Sequence, residues 1–271
     1  MHVDRLLETR GSLVALGRRA ADDVALKLLK HEGDEWWSGE IVRAFAGRGV
    51  VLVLEHTDGA LLLERLMPGH PLVDLTLRGA DEEATAILAR VVSAMRPDVA
   101  PRACATVEEW GRGFDRYLAS HARHVSRALV ERARLTYAAL AGSQRDVRLL
   151  HGDLQQSNVL FDHARGWIAI DPKGVVGELA YELGAFLRNP VERPGTFLDP
   201  DVIERRVAQL ASTLNVDRDR VIGWAFAQAV LSSIWSWEDG ERVAAGDPVL
   251  VLAERLEAML PPDCAPGEHS P

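Results

Sequence analysis

Short apolar runs separated by polar and glycine-containing turns fill the first 65 residues of the chain. Runs of four to six residues bounded by turn residues are typical of β-strands. The predicted strands cover residues 13–16, 24–29, 50–55 and 60–65. A single helix is predicted among them, with Asp34 as its N-cap, Phe45 near its end and Gly47 terminating it. The pattern therefore indicates a β-rich N-terminal segment.

Helical periodicity dominates after Met67-Pro68-Gly69, because adjacent proline and glycine break both helices and strands. The predicted helices cover residues 81–95, 107–118, 125–140, 179–187, 201–214, 218–237 and 248–260, and residues 193–200 are predicted to be a loop. These elements indicate an α+β protein with a β-rich N-lobe at 1–66 and a larger, mainly helical C-lobe at 67–260. The proline- and charge-rich tail, 261–271, is predicted to be disordered.

A strand–loop–strand stretch interrupts the helices and carries the densest group of polar side chains. Apolar runs at 147–150, 158–161 and 167–170 frame the loop and end at Asp171. This frame is expected to bring Asp153, Asn158 and Asp171 toward one another. Two carboxylates and an amide form an oxygen-rich site, which suits Mg²⁺ and phosphate-bound metal.

The spacing within this loop indicates phosphoryl transfer. An Asp that accepts a hydroxyl proton, followed five residues later by a metal-binding Asn, is the arrangement of protein-kinase catalytic loops, and Asp153 and Asn158 have that spacing. Asp171 follows the next strand, where kinases place a second metal-binding Asp. Because phosphoryl transfer needs positioning and charge neutralisation, one base and two metal ligands meet its requirements. His151 is predicted to be structural, bonding the loop backbone.

Lysine is rare in this chain, since only Lys27, Lys30 and Lys173 occur among 31 basic residues. Lys27 lies on a predicted strand, where a kinase places the lysine that contacts the α- and β-phosphates. A carboxylate from the following helix should pair with it. Glu40 is the preferred partner and Glu35 the competitor, because helical spacing alone does not separate them. Lys173 is left open between a phosphate contact and a carboxylate pair.

Charge and composition limit the classes of partner and the cellular location that we expect. A formal net charge of −9 argues against nucleic-acid binding and mildly favours cationic partners. No apolar run is long enough for a membrane span, and the N-terminus has no apolar signal-peptide core, so a cytoplasmic location is expected. Two distant cysteines, Cys104 and Cys264, argue against a disulfide framework or a zinc site. A monomer is the default expectation.

The pattern HGDLxxxNxL followed by WxAIDPKG resembles the aminoglycoside phosphotransferases, in particular the streptomycin 6-phosphotransferase and hydroxyurea phosphotransferase group. The resemblance extends over roughly residues 11–245. It implies a two-lobed protein-kinase-like fold, ATP with Mg²⁺, and transfer of the γ-phosphate to a small-molecule hydroxyl. The N-lobe at 1–66 would then bind the nucleotide, and the C-lobe at 67–260 would carry the catalytic loop and the substrate-binding helices. On this pattern Asp153 is the catalytic base, Asn158 and Asp171 hold metal, and Lys27 binds phosphate. The adenine hinge is implied at Glu64, Leu66 and Met67, largely through backbone groups.

The same resemblance implies streptomycin as the acceptor, phosphorylated at its 6-hydroxyl to confer resistance. Acidic and aromatic side chains suit a cationic, hydroxyl-bearing substrate, and the candidates are Glu178, Glu182, Trp235, Glu238 and Asp239. The family usually carries Asp at the first two of these positions. Core packing is the alternative role for the tryptophans of this region. The alternatives for function are a kinase of hydroxyurea or a metabolic alcohol, and a nucleotide-binding pseudokinase; GTP in place of ATP also stays open.

Overall fold

The computed structural model describes residues 1–33, 35–102 and 104–261, and these residues form two compact units. The first unit contains Met1–Cys104 together with Arg148–Val175. The second contains Ala105–Val147 and the chain from Val176 onward. The units follow the packing of the chain, whereas the functional division into lobes after Leu66 stays a prediction.

A five-stranded antiparallel sheet forms most of the N-terminal part of the first unit. Its strands are β1 (His2–Glu8), β2 (Ser12–Arg19), β3 (Asp22–Leu29), β4 (Val53–Thr57) and β5 (Ala60–Glu64), in the spatial order β1-β2-β3-β5-β4. The central strand, β3, places Lys27 opposite Val14 of β2 and Leu61 of β5. All four predicted strands are present. The edge strand β1 was not predicted, because almost all of its residues are exposed and it lacks a buried apolar face.

The helix after β3 is shorter than the sequence predicts. It is α1, Ser38–Ala44, and Glu35 to Trp37 form a turn before it. The predicted N-cap, Asp34, lies outside the described residues. Since α1 begins at Ser38, Glu35 lies in the turn before the helix, and helical spacing does not determine where the Glu35 side chain points.

A three-stranded sheet carries the polar loop. Its strands are β6 (Pro68–Pro71), β8 (Val159–Asp162) and β9 (Gly166–Ala169), in the order β6-β8-β9, while β7 (Arg148–Leu150) leads into the loop and β10 (Val175–Gly177) follows it. The helices α2 (Val73–Leu77) and α3 (Asp81–Ala94) complete the first unit, with α3 burying the predicted apolar face. Val50 bridges Ala169, which joins this sheet to the N-terminal segment of the unit.

The second unit is helical and is built around one long buried helix. The helices are α4 (Val107–Ala119), α5 (Arg127–Ala141), α6 (Leu179–Glu182), α7 (Gly184–Leu187), α8 (Pro194–Leu198), α9 (Pro200–Leu214), α10 (Arg218–Glu238) and α11 (Pro248–Ala258). Every residue of α10 from Val221 to Leu231 is buried, because α4, α5, α7 and α11 pack around it. A helix that is apolar on all sides has to be surrounded in this way.

Two predicted elements of this unit are corrected, and one prediction falls almost wholly outside the described residues. The helix predicted at 179–187 is split into α6 and α7 at Leu183, and the loop predicted at 193–200 contains α8. The disorder predicted for the tail falls almost wholly on residues 262–271, which lie outside the described residues. Within the described chain, none of the helices combines the length and the apolar character that crossing a membrane requires.

Candidate active site

The loop between β7 and β8 brings Asp153 and Asn158 together. A 3₁₀ turn, Gln156–Asn158, places the Asn158 side chain over the start of the loop. Its Nδ2 donates to the backbone oxygen of Asp153 at 2.8 Å and to the Asp153 carboxylate at 3.4 Å. The amide nitrogen thus orients the Asp153 carboxylate, and the carbonyl oxygen Oδ1 is the atom of Asn158 suited to a cation.

His151 anchors the loop from inside the unit. It is fully buried, its Nε2 lies 2.8 Å from the oxygen of Ile170, and its Nδ1 accepts the N–H of Asp153 at 3.3 Å. These roles require a neutral ring that donates from Nε2, and burial lowers the pKa of His151, in keeping with that state. The His151 side chain therefore links Ile170, the residue before Asp171, to Asp153.

Asp171 stands at the end of the hairpin in a strained conformation. Its φ is +62°, in the left-handed region that non-glycine residues seldom adopt. The chain is fixed on both sides, because Ile170 N–H donates to Asn158 O at 2.8 Å and Gly174 N–H donates to His151 O at 3.0 Å. Strain of this kind persists where surrounding bonds determine the backbone, and it clusters at functional sites.

Lys27 joins the sheet to this loop and corrects one prediction. Its ammonium group donates to the Asp171 carboxylate and, at 3.2 Å, to Glu35 Oε2. Burial alone would lower the pKa of Lys27, but the nearby carboxylates of Asp171 and Glu35 outweigh it and raise the pKa above its usual value. The prediction that Glu40 is the partner is wrong, since Glu40 is exposed and the partner is Glu35.

The predicted adenine hinge, Glu64 to Met67, is held by bonds to other parts of the first unit. Glu64 Oε1 accepts Leu52 N–H at 2.8 Å and also the Arg165 guanidinium. Met67 N–H donates to Asp162 Oδ2 at 2.8 Å. Sequence reasoning assigned no role to Asp162 or Arg165. An Asp at the start of a hairpin turn can be recognised from the sequence, but its hydrogen bond to Met67, 95 positions away, cannot.

The oxygen donors of the loop fit a magnesium ion that is completed by phosphate. Within residues 1–33, 35–102 and 104–261 no group of three or more His, Cys, Asp or Glu side chains could hold a metal by itself. Mg²⁺ in nucleotide sites is commonly bound through one or two carboxylates together with phosphate oxygens. Asp171 and Asn158 supply that kind of donor set. Lys173 is exposed, and its side chain has no hydrogen bond or ion pair with the described residues.

Glu178, predicted to contact substrate, is a buried structural residue of the second unit. Its carboxylate accepts Arg220 Nε at 2.9 Å, the indole N–H of Trp224, and Arg145 N–H at 3.2 Å. A buried carboxylate with this many donors is already satisfied, so the substrate role predicted for Glu178 is corrected. Glu182 is also buried, and its substrate role stays a prediction.

The C-terminal end of α10 carries the other predicted substrate residues. Trp235 is half-buried and packs edge-to-face on Trp110, with ring centroids 5.5 Å apart. Glu238 is exposed and accepts two hydrogen bonds from Arg116, both at 3.2 Å. Asp239 is exposed at the end of the helix. This end of α10 therefore presents an aromatic surface beside two accessible carboxylates. Trp224, by contrast, is fully buried, as the core-packing alternative predicts.

A buried lysine on a central antiparallel strand, together with an Asp–Asn–Asp loop, defines a kinase-type phosphotransferase. Solved structures show the same fold. A choline kinase from Streptococcus pneumoniae aligns with a TM-score of 0.62 at 13% identity, covering 95% of this chain and 94% of that chain. An aminoglycoside phosphotransferase in ternary complex with AMP-PNP and hygromycin B aligns with a TM-score of 0.63 at 16% identity, with 95% and 94% covered. The predicted kinase-like α+β fold is confirmed.

The chain belongs to the aminoglycoside/hydroxyurea antibiotic resistance kinase family, whose model matches residues 2–240. It is 30% identical over 252 residues to a streptomycin 3''-kinase from Klebsiella pneumoniae, covering 87% of this chain and 88% of that protein. A streptomycin 6-kinase from Streptomyces griseus is 32% identical over 226 residues, covering 79% and 71%. A hydroxyurea phosphotransferase from Kitasatospora aureofaciens is 32% identical over 244 residues, covering 88% and 69%.

The family and the enzyme class predicted from the sequence are confirmed by these matches. The protein is an ATP-dependent small-molecule kinase, a phosphotransferase that acts on a hydroxyl group.

Proposed function

We propose that this kinase transfers the γ-phosphate of ATP to streptomycin, at the 6-hydroxyl, with Mg²⁺ as its cofactor, and so confers resistance. The observation that carries the proposal is the pairing in the catalytic loop, where Asn158 Nδ2 lies 2.8 Å from Asp153 O and 3.4 Å from its carboxylate. This pairing supports a loop with a base and a metal ligand in fixed relation, which is what phosphoryl transfer requires.

Asp153 is the proposed base. Its carboxylate is partly exposed and oriented by Asn158, so it is accessible to an acceptor hydroxyl and restricted in direction. It would orient the hydroxyl and take its proton as the oxygen attacks the γ-phosphorus, while the bond to the leaving ADP oxygen breaks. General-base assistance of this kind contributes about 10²–10⁴-fold to the rate.

Asn158 and Asp171 are the proposed metal ligands, through Oδ1 and the carboxylate. Bound Mg²⁺ would neutralise charge on the phosphate oxygens. Lys27 would steady the α- and β-phosphates, and Glu35 would keep its ammonium group in place. Asp171 now accepts a hydrogen bond from Lys27, so nucleotide binding is expected to exchange this contact for phosphate at Lys27 and metal at Asp171.

Leu66 is the proposed contact for the adenine base. Its side chain is buried, and its backbone N–H and C=O have no hydrogen-bond partner among the described residues. The N–H groups of Glu64, Arg65 and Met67 are all taken, by Leu52 O, Asp23 O and Asp162 respectively. A backbone donor and acceptor left open within a fixed segment fit the hydrogen-bonding edge of a base.

The acceptor site is proposed at the end of α10, at Trp235, Glu238 and Asp239. Streptomycin carries guanidinium groups and many hydroxyls, which exposed carboxylates and aromatic faces bind well. Hydroxyurea is the second candidate, because the hydroxyurea phosphotransferase match is as high in identity and covers as much of this chain as the streptomycin kinases do.

The deciding experiment incubates the protein with ATP, Mg²⁺ and each of streptomycin, hydroxyurea and simple alcohols, and measures phosphate gain by mass spectrometry. Phosphorus NMR of the product then distinguishes the 6-hydroxyl from the 3''-hydroxyl. Asp153→Asn is expected to lower kcat by about 10²–10⁴-fold while ADP still binds. Unmodified streptomycin would refute the acceptor, and wild-type turnover by Asp153→Asn would refute the role of the base.

A further inference from the structure

The turn between β8 and β9, residues 162–165, is bonded to the predicted adenine hinge at Met67. Asp162 Oδ2 accepts Met67 N–H at 2.8 Å, and His163 N–H donates to Met67 O at 2.8 Å. The other carboxylate oxygen, Oδ1, accepts the N–H groups of Ala164 and Arg165, both at 2.9 Å. One carboxylate therefore shapes its own turn and fixes the backbone of Met67 at the same time.

The same turn holds the other end of the hinge through Arg165. Its guanidinium donates to the Glu64 carboxylate and to Gly47 O. Glu64 Oε1 also accepts Leu52 N–H at 2.8 Å, which adds the residue before β4 to the group. A four-residue turn thus bonds to the first and the last residue of a segment that is four residues long.

Leu66 lies between these two attachments. Both neighbouring attachments restrict its backbone, while its own N–H and C=O have no partner among the described residues. A donor and an acceptor held in a fixed direction bind a ligand with less loss of conformational entropy than mobile ones do. The bonds from Met67, Arg165 and Ala164 N–H groups also favour the charged carboxylate, and the pKa of Asp162 is lowered accordingly, first of all by Met67 N–H.

We propose that Asp162 is a positioning residue for the nucleotide base: it fixes Met67, and through it the open backbone groups of Leu66, without contacting the nucleotide. This inference rests on the proposed binding of ATP at the hinge. It assigns a second task to the hairpin whose other end carries the catalytic loop, since β8 begins directly after Asn158 and ends at Asp162. The base and the phosphates of one nucleotide would then be held from the two ends of a single strand.

The test compares ADP with inorganic tripolyphosphate, each titrated with Mg²⁺ into the full chain in a calorimeter. Asp162→Ala leaves Met67 N–H without its acceptor, so the affinity for ADP is expected to fall about tenfold, the usual scale for one hydrogen bond to a charged group. Tripolyphosphate has no base and depends on Lys27, so its affinity should stay within about twofold. Asp162→Asn keeps one acceptor oxygen and should give an intermediate loss.

Asp199→Ala is the matched control. Asp199 caps α9 in the second unit by accepting Asp201 N–H at 2.9 Å and Val202 N–H at 3.4 Å, so its replacement by Ala also removes the side-chain acceptor of backbone N–H groups. It should lower the unfolding temperature as Asp162→Ala does, yet leave ADP affinity unchanged. The inference is overturned if Asp162→Ala binds ADP like wild type, or loses ADP and tripolyphosphate affinity equally. Wild-type protein that binds no ADP would overturn the proposed function as well.

Discussion

The pairing of Lys27 with Glu35 makes a prediction that separates two glutamates of one short segment. Glu35→Gln removes the charge that lies 3.2 Å from Lys27 Nζ and keeps the size of the side chain. Glu40→Gln, on the exposed face of α1, makes the same chemical change without a partner at Lys27. The two variants differ in whether the lost charge contacts Lys27.

The magnitude follows from the geometry and the exposure of the pair. At 3.2 Å, with an effective dielectric constant of about 20, two unit charges attract by about 5 kcal/mol before solvation is counted. The Lys27 side chain is 9% exposed but that of Glu35 is 40% exposed, so solvent screens much of this attraction. Exposed pairs contribute about 0.2–1 kcal/mol and hydrogen bonds to charged groups about 1.5–3 kcal/mol. A loss near 1.4 kcal/mol, about tenfold in affinity, is the expected result.

The assay measures the Kd of ADP by calorimetry and kcat/KM for ATP across a range of Mg²⁺ concentrations. Glu35→Gln is expected to lower both by about tenfold, and Glu40→Gln to stay within about twofold. Without Glu35, Asp171 is the remaining carboxylate bonded to Lys27, so competition for Asp171 should also move the Mg²⁺ midpoint upward. Equal effects of the two variants, or a larger effect of Glu40→Gln, would refute the assignment of Glu35.

Two further predictions concern buried groups. Glu178→Gln breaks the ion pair between Glu178, whose side chain is 5% exposed, and Arg220, whose side chain is 15% exposed. It should lower the free energy of unfolding in urea by about 3 kcal/mol. Glu204→Gln, at an exposed ion pair, should change this free energy by less than about 1 kcal/mol, and equal losses in the two variants would contradict the buried structural role of Glu178. Burial lowers the pKa of His151, so below about pH 6.5 the unfolded chain binds a proton that the folded chain does not. Stability should therefore be full above that pH and fall below it, and His151→Gln should flatten this part of the urea-unfolding pH profile.

The catalytic loop was predictable because its information is local. Asp153 and Asn158 are five residues apart, and Asp171 follows one strand later, so a short hairpin suffices to bring their chain segments together. Lys27 was also predicted to belong to the site, because its rarity and its place on a strand agree with the same chemistry. The structure brings Lys27 to Asp171 and Asn158 to Asp153, as that interpretation requires.

The partner of Lys27 was missed because it depends on where a helix begins. If α1 began at Asp34, Glu35 and Glu40 would both lie on the helix, and helical spacing alone would not decide which of them pairs with Lys27. The helix begins at Ser38, so Glu35 lies in the preceding turn and reaches the lysine from there. A shift of a few residues in a helix boundary is within the usual error of boundaries read from sequence, and it reverses the choice between two carboxylates.

The hinge contacts were missed for a different reason, which is distance along the chain. Asp162 and Met67 are 95 positions apart, and Arg165 and Glu64 are 101 apart. The sequence pattern near Asp162 indicates only a turn. Its partner, Met67, is brought close by the pairing of β6 with β8, which the pattern does not predict. Tertiary pairing of this kind leaves no periodic signal in either segment.

The corrected role of Glu178 limits what can select the acceptor. This position usually carries Asp in the family that the sequence resembles, and a buried carboxylate bonded to Arg220 and Trp224 has a structural reason to keep its charge. Its charge is then no argument for a cationic substrate. Exposed negative charge in the predicted set is left at Glu238 and Asp239, beside Trp235, and Glu238 already shares its charge with Arg116. Recognition of a cation at this end of α10 would therefore draw on Glu238, Asp239 and the aromatic surface together, so differences in acceptor among family members should follow these positions rather than Glu178.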